Sequence, residues 1–237
     1  MQVFNPLNFY SIYKESDKRC NALLEEQLQS AKQFNINVIP NPGVYSNIDE
    51  HLENENLYVN TSGGHKIKHN GVIGCFLSHY FLWKKCIELD QPIGVLEYDA
   101  YFIRPLPVDI LDSFDDYCNL DYTRHLHYGK GKDEYLNNLD YTSPIVINKL
   151  KEKRKSSKFN LIKYINNNHI KGAFGYIIKP TGAKKLVTAS KEYGILPADV
   201  QPNLYYCNVH YTSSSIVMLN KSTLNDRESH TQSDRTT

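Results

Sequence analysis

Between Gly71 and Leu89 the apolar residues Ile73, Phe76, Leu77, Tyr80, Trp83 and Ile87 fall three or four positions apart, the spacing of one helix face. Gln91-Pro92 ends that helix, and Ile93, Val95 and Leu96 follow as a short apolar run suited to an inner strand. The chain opens in a similar way. Phe9, Ile12 and Tyr13 predict a strand, and Ser16-Asp17 offers a helix N-cap. Leu24, Leu28, Ala31 and Phe34 give the next helix an apolar face before a strand over Ile36–Ile39. Later, Tyr176–Lys179 reads as a strand, Pro180-Thr181-Gly182 as a turn, and Ala183, Leu186 and Val187 as the buried side of another helix. The stretch from Asn41 to His69 is polar, with Pro42-Gly43 and Gly63-Gly64, and predicts loops with one short helix. Strands alternating with helices in this order predict an α/β fold with a β-α-β opening suited to nucleotides.

Composition narrows the class. At 237 residues, 41% hydrophobic and 22% charged, the chain has the size and balance of one globular domain with a substantial core. Basic and acidic residues nearly cancel (27 against 26), so no overall field draws it to nucleic acid or to an anionic membrane. Five cysteines without a Cys-x-x-Cys pair argue against a disulfide framework or zinc knuckle and suit a reducing compartment. No apolar run approaches the roughly 18–20 residues that span a bilayer, and the N-terminus lacks a basic-then-apolar signal pattern. The expectation is a cytoplasmic protein with no transmembrane segment, in which the sequons at Asn60 and Asn220 are incidental. Most of the eighteen tyrosines are expected in the core and its rim. Beyond Met218 the chain is almost wholly polar, which predicts a folded domain over 1–219 and a disordered tail over 220–237.

Chemistry concentrates after the inner strand. Glu97 and Asp99 lie two apart, so in a continuing strand their side chains share a face. Two acids there, followed at once by Tyr101, Phe102 and Ile103, are costly unless a cation offsets them. A divalent metal carrying a diphosphate is the economical candidate. Lys149–Lys158 is the basic run of the chain, either a solvated loop or a contact to a diphosphate or anionic acceptor.

The stretch Gly71, Gly74, Cys75, Ser78, His79 and Trp83, followed by Leu96, Glu97 and Asp99, resembles glycosyltransferase family 25. That group contains lipopolysaccharide and collagen-modifying galactosyltransferases, and its helix of this pattern precedes a strand ending Leu-Glu-Asp-Asp. Tyr98 stands here in place of the middle acid. A second block resembles the family's pattern too: Gly172, Gly175, Tyr176, Ile178, Gly182, Ala183 and Leu186, then Pro197-Ala198-Asp199. The resemblance implies a single-domain glycosyltransferase A-type fold with a mixed, mostly parallel central sheet. It also implies an inverting transfer of a hexose from a nucleotide sugar, UDP-galactose or UDP-glucose, to a glycan or glycoconjugate hydroxyl.

On that reading Asp99 and Glu97 hold Mn²⁺ or Mg²⁺ and the donor diphosphate. Arg19, in the first turn after the first strand, is the counterpart of a family arginine near the donor, or else an exposed charge. Asp199 is the candidate general base or sugar-binding acid, or alternatively a helix cap; His79 is a catalyst or a structural hydrogen-bonder. Gly172 and Gly175 either let the backbone approach the sugar or serve close packing. His210 is a candidate nitrogen ligand completing the metal shell, by analogy with a late histidine in transferases of this fold. Two alternatives remain: the same donor chemistry on a modified nucleic-acid base, permitted but not favoured by the charge balance, and a degenerate binder of sugar nucleotides.

Overall fold

The structure, a computed structural model, describes residues 7–60, 67, 69–127, 130, 132–153 and 160–223. The opening unit forms as expected, as β1 (Asn8–Tyr13), α1 (Lys18–Gln33) and β2 (Asn37–Pro42). Asp17 caps α1, its Oδ1 accepting from the backbone N–H of Arg19 (2.8 Å) and Cys20 (3.1 Å). β2 is an edge strand, where the missing N–H groups of Pro40 and Pro42 cost the ladder little. One short helix, α2 (Ile48–Glu55), breaks the polar stretch; Gly63-Gly64 lies outside the described residues.

The patterned helix is α3 (Asn70–Leu89), and the inner strand is β3 (Ile93–Glu97). Phe76, Leu77, Tyr80 and Trp83 are fully buried. Each such side chain contributes about 1.5–3 kcal/mol by burial, enough to fix α3 firmly against the sheet. After β4 (Ala100–Phe102) and a 3-10 turn at Ile110–Asp112 come β5 (Tyr117–Asn119), α4 (Tyr122–Leu126), α5 (Lys132–Asn137) and β6 (Ile147–Lys149). α6 (Leu161–Asn167), β7 (Gly175–Ile178), α7 (Pro180–Tyr193), β8 (Val209–Thr212) and β9 (Val217–Leu219) complete the chain. Pro180 opens α7 rather than a separate turn, because its fixed φ and missing N–H suit the first helical position.

Seven strands form one sheet in the order β2-β1-β3-β7-β5-β8-β6. β1, β2 and β3 are parallel, β7 runs antiparallel to both neighbours, β5 and β8 are parallel, and β6 is antiparallel to β8. Five strands therefore point one way, the mixed and mostly parallel sheet anticipated. α3 and α7 cover one face over Tyr10, Val95, Tyr176 and Ile178. α1 and the antiparallel β4–β9 ribbon cover the other over Phe9, Leu96, Cys118 and Ile177.

Two expectations need correction. α1 buries Gln27 and Ser30 on the face expected to carry Leu28, which is only half-buried. The described residues also extend past the expected end of the domain. Asn220 donates its backbone N–H to Asp99 O (2.7 Å) and its side chain to Glu26 (2.7 Å), so Asn220–Thr223 pack on the body. Residues 224–237 of the tail and 154–158 of the basic run lie outside the described residues.

Candidate donor site at the end of the inner strand

Glu97 is the last residue of β3, and Tyr98-Asp99 is a turn into β4, so the two acids do not share a strand face as expected. The cause is local. The buried Gln27 donates Nε2–H to Glu97 O (2.8 Å) and also to Ala100 O, while Tyr98 N–H reaches back to Ile12 O (2.9 Å). Satisfying these carbonyls from α1 frees the backbone to leave the sheet. Nothing in the acidic motif hints at this. The signal was a glutamine three residues after Leu24 and four before Ala31, a polar residue on an apolar stripe.

Glu97 belongs to the α3 face. His79 Nε2 lies 3.4 Å from Glu97 Oε1, His79 Nδ1 lies 2.9 Å from Tyr176 Oη, and Trp83 Nε1 donates to the same Oη (2.9 Å). The proton order follows from chemistry. A carboxylate only accepts, so Nε2 carries the hydrogen; neutral Nδ1 is then bare and accepts from Tyr176. The line runs from Trp83 through Tyr176 and His79 to Glu97, with the His79 and Tyr176 rings stacked 5.7 Å apart. His79 is fully buried, so its part is to orient Glu97 rather than to meet a substrate. Cys75, one helical turn before His79, adds a long S–H contact to Glu97 Oε1 (3.9 Å).

Asp99 is placed differently. Its Oδ1 is buried with no hydrogen-bond partner among the described residues. Burial and the neighbouring Glu97 charge push its carboxyl up to about 7, opposed by the Thr223 side chain and the Arg19 guanidinium. Arg19 thus sits where its charge acts on Asp99, and it also donates to Ser222 O (3.5 Å). Tyr98, the residue replacing the middle acid, pairs with Cys20 instead of Asp99; burial first and nearby carboxylates second keep its phenol protonated.

Across the edge, Asp199 lies in a turn closed by Val200 N–H to Pro197 O (2.8 Å), not at a helix start. It is partly exposed and accepts from the Gly172 N–H (3.3 Å). Gly172 has φ +95, a conformation that favours glycine, and its carbonyl accepts from Asn119 at the end of β5 (3.2 Å). Gly175 answers to packing: a Cβ there would stand 2.4 Å from Val217 Cγ2 on the ribbon face, away from Glu97. Gly74 is also a packing glycine, since a Cβ would meet Val44 O at 2.4 Å, and Ser78 Oγ accepts from Val44 N–H (2.8 Å) beside it.

His210 does not join this group. It sits on β8 in register with Cys118, packs near Phe114 (6.4 Å), and belongs to the ribbon face, opposite Glu97. β7 and β5 also separate β8 from β3, three inter-strand steps of about 4.8 Å each. No one ion can bind Glu97 and His210 together. The strand alternation that buries Val209 on the α3 face turns His210 to the other.

The sheet edge therefore gathers Arg19, Glu97, Asp99, Gly172 and Asp199, from the start of α1, the end of β3 and the turn after it, the segment before β7 and the turn after α7. This is where α/β sheets hold ligands, outside the carboxyl ends of the strands. The arrangement offers oxygen ligands for a hard cation, a guanidinium for a phosphate and a free-edged carboxylate for a proton.

Comparison with known proteins gives the family. The family model for glycosyltransferase family 25 (LPS biosynthesis protein) matches residues 13–201. Procollagen galactosyltransferase 2 of Homo sapiens is 29% identical over 133 residues, covering 54% of this chain and 18% of its own. A glycosyltransferase 25 family member of Drosophila pseudoobscura pseudoobscura is 28% identical over 136 residues, 57% of this chain and 19% of its own. The chain thus spans under a fifth of the length of these relatives. Among solved structures, galactosyltransferase LgtC in complex with donor and acceptor sugar analogues matches with TM-score 0.40 at 11% identity, over 86% of this chain and 73% of its own. A glycosyltransferase involved in the glycosylation of the major capsid of PBCV-1 matches with TM-score 0.34 at 8% identity, over 79% and 67%. No helix among the described residues is long and apolar enough to cross a membrane.

Proposed function

The chain belongs to glycosyltransferase family 25, and from that premise we propose that it moves a hexose from UDP-galactose or UDP-glucose to a hydroxyl of a glycan or glycoconjugate, with inversion. The observation that carries the reading is Asp99. A carboxylate with one buried oxygen lacking a partner, raised in pKa beside a second acid, is poised to receive a cation.

Asp99 and Glu97 supply the hard oxygen donors that suit Mn²⁺ or Mg²⁺. Such an ion, when bound, neutralises the diphosphate that leaves with the nucleotide. Glu97 arrives pre-oriented because His79, Tyr176 and Trp83 hold it from behind. Arg19, at the N-terminus of α1, adds a guanidinium and the helix's own positive end for phosphate oxygens. Gly172 presents backbone without a side chain beside Asp199.

Asp199 serves as the base. The acceptor hydroxyl gives its proton to the carboxylate as its oxygen bonds to the anomeric carbon, while the bond from that carbon to the diphosphate oxygen breaks. One displacement inverts the anomeric centre. The position of Asp199, partly exposed and held by one backbone amide, suits a group that must take and release a proton.

The test is UDP release from a panel of UDP-hexoses, with glycan acceptors and Mn²⁺, in wild type and Asp199→Asn. The reading expects one UDP-hexose to turn over and the variant to lose about 10²–10⁴-fold, the usual contribution of a general base. Equal rates in the two proteins remove Asp199 from the mechanism. No release with any UDP-sugar overturns the reading.

A further inference from the structure

One cluster goes beyond the donor chemistry. Cys75 Sγ, His79 Nε2 and Glu97 Oε1 all lie within 4.8 Å of one another. Cys75 and His79 are four residues apart on α3, so they share a helix face, and Glu97 meets them from the end of β3. We propose that these three side chains form a binding site for a thiophilic divalent ion of the Zn²⁺ type, which shares Glu97 with the oxygen site at Asp99.

The donor set decides the class of ion. One sulfur, one imidazole nitrogen and one carboxylate oxygen are the three kinds of ligand zinc takes, commonly three from protein with a fourth position open. Mn²⁺ and Mg²⁺ prefer oxygen alone and favour Asp99. Geometry agrees. With Zn–N and Zn–O near 2.0 Å and Zn–S near 2.3 Å, a tetrahedron has edges of roughly 3.3–3.6 Å between ligand atoms. The Nε2 to Oε1 separation is 3.4 Å already, Sγ to Oε1 is 3.9 Å, and the remaining edge from Cys75 to His79 is within 4.8 Å, so Cys75 must move inward to close the site.

The surroundings favour a cation there. The Glu97 carboxylate faces the Cys75 thiol and the His79 imidazole at once, so a positive ion there has a charged oxygen to bind beside the two softer donors. The second shell is built as well. His79 Nδ1 faces Tyr176 Oη at 2.9 Å, the partner a metal-bound imidazole needs for its other nitrogen. With an ion held there the imidazole would stay neutral by changing tautomer: its proton would move from Nε2 to Nδ1, Tyr176 Oη would accept from Nδ1 as it does from Trp83 and turn its own hydrogen aside, and the Cys75 thiol would release its proton to solvent. One proton leaves per ion bound.

The consequence for transfer rests on the reading above. An ion on Glu97 Oε1 withdraws that carboxylate from the donor, so Zn²⁺ acts as a brake on an enzyme that runs on Mn²⁺. Binding itself is independent of that reading, and the experiment separates the two.

Metal-free protein in a thiol-free reductant is titrated with Co²⁺ and followed by absorbance. The proposal expects a thiolate-to-cobalt charge-transfer band in the near ultraviolet that saturates at one equivalent and is displaced by Zn²⁺. The band is absent in Cys75→Ser, which keeps nearly the size of the side chain and whose fold is checked by circular dichroism. It persists in Cys207→Ser and in Asp99→Asn. Since second-shell partners alone are worth about 10–100-fold in metal affinity, loss of the sulfur ligand weakens Zn²⁺ binding by at least that much. A missing band in wild type, or a band that survives Cys75→Ser, overturns the site. A band that forms while added Zn²⁺ leaves Mn²⁺-dependent UDP release unchanged keeps the site and overturns the brake.

Discussion

Asp116 and Asp121, on the β5 side of the sheet, are surrounded by donors, whereas Asp99, at the end of β3, keeps a buried oxygen with none. Asp116 accepts from Lys185 Nζ (2.5 Å) and Asn208 N–H (2.9 Å). Against the burial that raises it, these hold its carboxyl below the usual range. Asp121 accepts from Ser215 Oγ (2.6 Å), Arg124 N–H (3.1 Å) and Tyr135 Oη. Burial still lifts Asp121 to about 6, but its bonds tie α4, α5 and the loop before β9 together. The first pair are part of the scaffold. Asp99 instead costs the apo fold stability and recovers it through a ligand, as binding sites do.

Breaking Asp99 gives the largest expected effect. Asp99→Asn loses about 10²–10³-fold in transfer rate, the usual cost of removing one charge-stabilising group, measured as initial rates with saturating donor. Stability moves the other way. The folded pKa of Asp99 is raised above its unfolded value of about 3.9, so the native state holds the proton more tightly. Its contribution therefore falls as pH rises from about 4 to 7. At pH 8 and without metal the variant is more stable than wild type by on the order of 1–2 kcal/mol, a figure reduced for partial exposure. Urea unfolding at pH 5 and pH 8 checks the sign, since the gain shrinks at the lower pH.

Asp121→Ala is the converse. It leaves Tyr135, Ser215 and the Arg124 amide without their acceptor and costs about 2–4 kcal/mol of unfolding free energy; because burial raises Asp121 to about 6, that cost is largest below about pH 4 and shrinks as pH rises to about 6. Tyr176→Phe sharpens the contrast inside the donor site. Removing Oη strands Trp83 Nε1–H and releases His79 Nδ1, costing about 1–2 kcal/mol in stability. The same change lowers transfer by about tenfold through loosened Glu97, and the rate loss exceeds what partial unfolding explains. The smallest effect is Lys185→Met. Lys185 is 47% exposed, so loss of its pair with Asp116 costs no more than about 1 kcal/mol. Because the Asp116 pKa is lowered, that contribution is present above about pH 4 and lost on acidification, and an acid titration of stability checks it.

Much of this contrast was legible in the chain. The period of α3 and the apolar run of β3 located both elements, and the spacing of Gly74, Cys75, Ser78, His79 and Glu97 carried the family resemblance. What the pattern could not carry was direction. Reading Glu97 and Asp99 as one face assumed a continuing strand, and contacts distant in sequence, Gln27 seventy residues away and Ile12, hold the turn between them. His210 failed for the same reason in reverse: its residue type was right for a ligand, but strand alternation put it on the other face. Tyr176 looked like a strand aromatic, and its role as the link between Trp83 and His79 depends on the antiparallel register of β7 against β3. Contacts set by long-range pairing leave little trace in local sequence.

The most direct measurement is thermal unfolding at pH 8 of wild type and Asp99→Asn, with UDP-galactose or UDP-glucose and Mn²⁺ added singly and together. Binding to the native state must raise the melting temperature by mass action. The account predicts that wild type starts lower and rises when Mn²⁺ and one UDP-hexose are both present, while Asp99→Asn starts higher and does not respond. A variant that starts lower, or that responds as wild type does, would contradict it.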